Sequence, residues 1–148
     1  MQDRGRRLLW HGMLLFVLGL STGLVQQQMR NPRMGLAAHL EGIMNGTFLL
    51  ALGAAWSQVR LSPRASSVAY WTALCGTYGN WAVTIVAAVL GTAAMTPIAS
   101  TGYGGQRWQE TLVTIGFVSI GVAVMVASVL LLLGFRRDPG DPGGTSPG

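Results

Sequence analysis

The sequence predicts an all-α, polytopic membrane protein: a bundle of four transmembrane helices. Three observations carry that expectation. Half of the 148 residues are hydrophobic, only 10% are charged, and the apolar residues gather into four long runs with arginines and glycines between them. The runs are continuous and do not alternate with polar residues, which argues against a β-barrel.

The first run, Leu8 to Val25, follows RGRR and has the outline of a signal peptide. It lacks a small-x-small cleavage site and further runs follow it, so it reads as a retained helix. The second run is Gly35 to Val59, the third Val68 to Ala94 and the fourth Leu112 to Phe135. At about 1.5 Å per residue each is long enough to cross a hydrocarbon core of about 30 Å. The stretch MTPIASTGYGGQRWQET, residues 95–111, is the one substantial loop and is placed to cover a site from the external side. Residues 1–135 therefore read as one transmembrane domain. The remainder, 136–148, has nothing apolar to bury and is expected to be a disordered cytoplasmic tail.

Charge gives the orientation. All ten basic residues are arginine and the net charge is +5. Arg4, Arg6, Arg7, Arg60, Arg64, Arg136 and Arg137 fall on one side, with Arg30, Arg33 and Arg107 on the other. The positive-inside rule then places both termini in the cytoplasm, as for an integral protein of the inner membrane with the lipid bilayer as its surroundings. No basic patch with interleaved aromatics exists for a phosphate backbone to follow, so no nucleic acid partner is expected. Trp10, Trp56, Trp71 and Trp108 lie near run ends, where an indole suits the interface, while Trp81 lies mid-run. Cys75 stands alone and forms no intrachain disulfide.

The 21 glycines are placed in patterns. Gly19 and Gly23 form one GxxxG pair and Gly42 and Gly46 another, the spacing that lets helix backbones approach closely in lipid. At about 100° per residue, Gly35, His39, Gly42, Gly46 and Gly53 share one face of the second helix. Glu41 and Asn45 lie on another. A histidine on a smooth glycine strip has two readings. One is a hydrogen bond to a neighbouring helix, the commoner arrangement; the other is axial ligation of a planar porphyrin. Zinc is the weaker idea, since no cysteine or second histidine stands at ligand spacing and His11 lies near the opposite membrane face.

An intramembrane carboxylate needs a partner or a function. Glu41 either pairs with Arg33 or Arg107 across the external side or serves catalysis. Asn45 lies deeper, and its amide offers two donors and an acceptor to a polar substrate. On the third run Asn80 shares a face with Gly76 and Thr84, and Tyr78 shares another with Trp71. These polar groups either join helices or line one pocket with Asn45. The fourth run, with Gly116, Ser119, Gly121 and Ser128, carries no ionisable residue and reads as scaffold.

The stretch NPRMGLAAHLEGIMNG, residues 31–46, resembles the hydroxylaminobenzene mutase family, small membrane proteins more distantly related to styrene oxide isomerase. YGNWA at 78–82 and GYGGQRWQE at 102–110 add weaker support, and the resemblance runs from the first span to about residue 130. It implies a four-helix membrane isomerase. The epoxide isomerase branch is a homotrimer with haem b between adjacent subunits; its axial ligand corresponds to His39 and its active-site asparagine to Asn45. Joined to the glycine-face argument, this makes His39, Gly35, Gly42 and Gly46 the expected haem-binding residues. The epoxide branch also uses an aspartate and a tyrosine on its third helix. This chain has no aspartate there, and Tyr78 and Asn80 substitute by type only, so the mutase branch fits better.

The expected activity is rearrangement of a small lipophilic aromatic substrate, hydroxylaminobenzene to 2-aminophenol. Ferric haem b would be the Lewis acid, Asn45, Asn80 and Tyr78 would orient the substrate, and Trp81 would stack on its ring. The alternative within the resemblance is isomerisation of styrene oxide-like epoxides to aldehydes. From other classes come a small multidrug-type transporter using Glu41 and a purely structural membrane subunit.

Overall fold

The computed structural model describes residues 2–136, and every regular element in them is helical. Four long helices follow in order: α1 (Gln2–Val25), α2 (Pro32–Ala55), α3 (Pro63–Leu90) and α4 (Arg107–Arg136). Single 3₁₀ turns at Gln26–Gln28 and Trp56–Gln58 close the ends of α1 and α2. Beyond Arg136, the expected tail lies outside the described residues.

Each helix starts three to six residues before its apolar run, while α2 ends at Ala55, short of the expected Val59, because capping, not hydropathy, sets the ends. α1 takes in the arginine turn, where Arg7 reaches Asp3 one turn earlier at 3.5 Å. α2 starts at an Asn31–Pro32 pair: the Asn31 side chain accepts from Arg33 N at 3.1 Å and Met34 N at 3.3 Å, and Pro32 occupies the first turn. Ser62 and Pro63 begin α3 in the same way, with Ala65 N donating to Ser62 Oγ at 3.4 Å. α3 stops at Leu90, short of the expected Ala94, because Gly91 turns left-handed at φ 67° and its N–H returns to Ala87 O at 2.8 Å.

Glycine joins α1 to α2. A Cβ added to Gly42 would lie 2.4 Å from Gly19 Cα, and one on Gly46 would lie 2.6 Å from Phe16 N and 2.8 Å from Gly12 O. Farther along, a Cβ on Gly53 would lie 2.8 Å from Gly5 O. Contact this close maximises dispersion where lipid removes the hydrophobic drive. α3 packs on α2, and α4 packs on α3. One buried cluster joins Leu8 and Leu15 of α1, Leu49 and Leu52 of α2, Tyr70 and Leu74 of α3 and Leu131 of α4. A smaller one joins Met34, Ala87, Ala88 and Val113, near the start of α2, the end of α3 and the start of α4.

Three stretches are long and apolar enough to cross a membrane: Asp3–Gln28, Pro63–Leu90 and Arg107–Arg136. α2 has 24 residues, about 36 Å at the standard rise, but His39, Glu41 and Asn45 lower its hydropathy. Trp10, Trp71 and Trp108 are exposed, as interfacial indoles should be. Trp56 departs from that expectation. It is 2% exposed, folded into the core edge-on to Tyr70 with ring centroids 6.0 Å apart.

The segment between α3 and α4 is a folded plug. The Glu110 carboxylate accepts from the backbone N–H groups of Ala93 at 3.0 Å, Ala94 at 2.9 Å and Gly105 at 2.8 Å. Asn31, fully buried, donates through Nδ2 to Ala99 O at 3.3 Å and Ser100 Oγ at 3.1 Å, while its N–H donates to Ala88 O at 2.9 Å. Arg30 donates to Leu90 O and Gly104 O, and Arg33 donates to Thr101 O with its guanidinium 5.5 Å from the centre of the Tyr103 ring.

Because a Cβ on Gly42 would meet the Gly19 backbone at 2.4 Å, and the Trp81 ring at 3.0 Å besides, Gly42→Ala should force α1 from α2. The expected loss is about 1–3 kcal/mol, read as a lower unfolding midpoint in detergent micelles. An unchanged midpoint would mean that the seam yields without cost.

Candidate functional site

His39 lies half-buried on α2 with its ring against α1. Its Nδ1 is 2.8 Å from the Gly19 carbonyl oxygen. A carbonyl only accepts, so Nδ1 carries the proton, and in a neutral ring Nε2 keeps its lone pair. That is the tautomer a metal-ligating imidazole needs, with the far nitrogen held by a carbonyl. This is the ring's only hydrogen bond among the described residues. Gly23 makes the approach possible: a Cβ there would sit 2.6 Å from Nδ1 and 2.8 Å from Cε1.

Gly35, Gly42 and Gly46 were expected to offer a flat face to a planar group. The structure sets that face elsewhere. Gly42 and Gly46 meet α1, and Gly35 meets Gln26 and Met29 in the connection from α1 to α2. The strip is closed by the hairpin, because glycines that admit a planar ligand also admit a second backbone. Among the described residues no three His, Cys, Asp or Glu side chains come together as a metal-holding group. Haem brings its own in-plane nitrogens and requires only an axial donor, and on that test the Nδ1-tied imidazole fits it.

Asn45 faces the other way. Its Nδ2 donates to Thr77 O of α3 at 3.2 Å, which leaves one N–H and Oδ1 for other partners. Beside it is a cavity of about 250 Å³, lined by Met44, Asn45, Phe48, Ala73, Thr77, Val124, Ala127 and Ser128. About 150 Å³ of apolar space accepts benzene, so this cavity has room for one substituted ring. The Thr77 hydroxyl is spent on the Ala73 and Leu74 carbonyls at 2.8 and 3.1 Å. The fourth helix, expected to be scaffold, supplies one wall through Val124, Ala127 and Ser128.

The third-helix candidates do not gather around Asn45. Tyr78 turns to α1, where its hydroxyl donates to His11 O at 3.1 Å and lies 3.3 Å from His11 Nδ1. Asn80 is half-buried and does not line the Asn45 cavity. Trp81 crosses to α1 and donates from Nε1 to Thr22 Oγ1 at 3.1 Å, with Cδ1 3.0 Å from where a Gly42 Cβ would lie. Nor does Glu41 meet an arginine: Arg33 belongs to the plug between α3 and α4, and the ion pair among the described residues is Arg7–Asp3. Glu41 lies beside Thr84 of α3, yet Glu41 Oε2 and Thr84 Oγ1 are both buried without a hydrogen-bond partner.

The sequence pattern of the styrene oxide isomerase family matches residues 4–136. The chain belongs to that family. Similar proteins include hydroxylaminobenzene mutase HabB of Ectopseudomonas oleovorans, 44% identical over 135 residues that make up 90% of this chain and 82% of the relative. Hydroxylaminobenzene mutase HabA of the same organism is 37% identical over 127 residues, 85% of this chain and 94% of the relative. No solved structure gives a significant match. Family and relatives make this styrene oxide isomerase-family chain an isomerase, which displaces the transporter and purely structural readings.

Two participants escaped the sequence reading. Gly19 was visible as half of a packing pair, but nothing in the sequence joined its carbonyl to His39. Thr77 meets Asn45 through a backbone oxygen, which leaves no side-chain signal at all.

Glu41 tests whether the family's chemistry uses this carboxyl. An unpaired buried carboxyl is costly in lipid and a neutral amide is less so. Glu41→Gln should therefore unfold no more easily than wild type and keep turnover within about twofold, since Glu41 lies on neither the His39 ring nor the Asn45 cavity. A loss beyond about a hundredfold, the range for a general acid–base group, would assign Glu41 to proton transfer.

Proposed function

We propose that this isomerase rearranges small lipophilic arylhydroxylamines, with hydroxylaminobenzene to 2-aminophenol as the type reaction. The observation that carries the reading is the His39 ring, tied at Nδ1 and without a hydrogen bond at Nε2 among the described residues, in a chain 44% identical to a hydroxylaminobenzene mutase. His39 Nε2 is the atom that would hold haem b. When bound, ferric haem supplies a Lewis acid for the substrate oxygen, and so a weaker N–O bond, without net oxidation. The conversion is balanced as an isomerisation: the N–O bond breaks, a C–O bond forms at the adjacent ring carbon, and the proton lost from that carbon is replaced by one gained at nitrogen.

The chain's own groups have separate tasks in this reading. Asn45 orients the polar end of the substrate with its free N–H and Oδ1. Phe48, Ala73 and Val124 hold the ring and keep water from a cation-like intermediate. In one chain His39 faces α1 and Asn45 faces α3. The reading therefore sets the reaction between copies in a homo-oligomer, a trimer by the resemblance, where one copy's imidazole meets the next copy's asparagine. α2 crosses the inner membrane with the other three helices, both termini are cytoplasmic, and the substrate arrives through lipid. Epoxide isomerisation is the second reading, favoured by the match to the styrene oxide isomerase family over residues 4–136.

An absorption spectrum of detergent-purified protein, expressed with full haem supply, tests the first part. The expected result is a Soret band that His39→Ala abolishes together with turnover. A colourless wild type that still forms 2-aminophenol would sink the haem reading.

Asn45→Leu should keep the band and lower kcat/KM for hydroxylaminobenzene by about a hundredfold, the scale of losing a preorganised polar contact. Assay of styrene oxide with the same preparations separates the two substrate readings.

A further inference from the structure

The tie between His39 and α1 has a use beyond holding a ring still; the inference rests on the haem reading above. The turn of α1 that bears the Gly19 carbonyl is fixed from two sides. On one side Gly42 of α2 lies against Gly19. On the other, Trp81 Nε1 of α3 donates to Thr22 Oγ1 at 3.1 Å, and that hydroxyl donates to Leu18 O at 2.8 Å. The carbonyl cannot retreat from Nδ1 without breaking the helix seam. Gly23, one turn on, leaves the space the ring occupies: a Cβ there would lie 2.6, 2.8 and 3.2 Å from Nδ1, Cε1 and Cγ.

We propose that Gly19 and Gly23 are positioning residues that polarise His39 and so keep a bound haem iron ferric. A hydrogen bond from Nδ1–H to a fixed carbonyl raises the donor strength of Nε2, and a low-dielectric setting strengthens that bond. Axial-ligand strength and outer hydrogen bonds are levers on haem potential, and a stronger donor favours the ferric state. An isomerisation consumes no electrons, so resistance to reduction preserves the Lewis acidity that the reaction needs. α1 thus contributes to the chemistry through a backbone oxygen and an absent side chain.

The test is a spectroelectrochemical titration of the haem-loaded, detergent-purified protein beside Gly23→Ala. The variant should keep the Soret band that His39→Ala loses, while its midpoint potential rises by at least about 59 mV, a tenfold loss of ferric preference in a one-electron couple. Haem transfer to apomyoglobin should quicken by about 10–100-fold. Where Gly23→Ala fails to fold or to hold haem, His39→Ala is loaded with haem and either imidazole or 1-methylimidazole. Only imidazole keeps an N–H for the Gly19 carbonyl, so its complex should have the lower potential. Equal potentials in the comparison made would overturn the proposal while leaving His39 as ligand. A colourless wild type would remove the haem reading itself, and this inference with it.

Discussion

The close approach of two glycine-lined backbones, α1 and α2, is the constraint on which the rest of this protein depends. Apolar burial does little to hold helices together in lipid, so adhesion must come from dispersion at short range and from hydrogen bonds. Glycines at 5, 12, 19 and 23 on α1 and at 42, 46 and 53 on α2 supply the first. The His39 to Gly19 bond supplies part of the second. Packing and site are therefore one feature: the contact that joins the hairpin also sets the histidine's tautomer.

A second constraint acts at the end of the molecule where α2 and α4 begin and α3 stops. Two polar side chains, Asn31 and Glu110, absorb backbone donors that would otherwise be stranded where α2, α3 and α4 meet. This accounts for the asparagine and proline that open the 31–46 stretch and for the acid that ends GYGGQRWQE. Both serve the fold, and they do so within the segments that carry the family likeness. Motif residues and site residues overlap here only at His39 and Asn45.

Those two side chains diverge within one chain, His39 toward α1 and Asn45 toward α3 and a cavity walled by α4. Six residues along a helix turn the direction by about 600°, or 240° net, so one α2 cannot bring both to a single substrate. Either residue alone is an ordinary polar group in a helix bundle. In the proposed chemistry their joint use would need a second copy, so that assembly is part of the proposal.

Hydropathy and composition by themselves determined the helical class and the places of the long helices, three of them membrane-compatible, because these follow from local solvation; capping then moved the helix ends by up to six residues. The periodicity of α2 likewise separated His39 from the Glu41–Asn45 face, since a helix fixes angles along its own axis. Tertiary structure decided everything that needed a partner. It turned the glycine strip from an open face into a seam, took Arg33 from Glu41 to the plug, sent Tyr78 to His11 and Trp81 to Thr22, and brought α4 into the wall beside Asn45. The physical reason is common to all of them. A sequence fixes which groups a helix presents in each direction, but which neighbour receives them depends on how four helices share a small volume, often through backbone atoms that every residue carries alike.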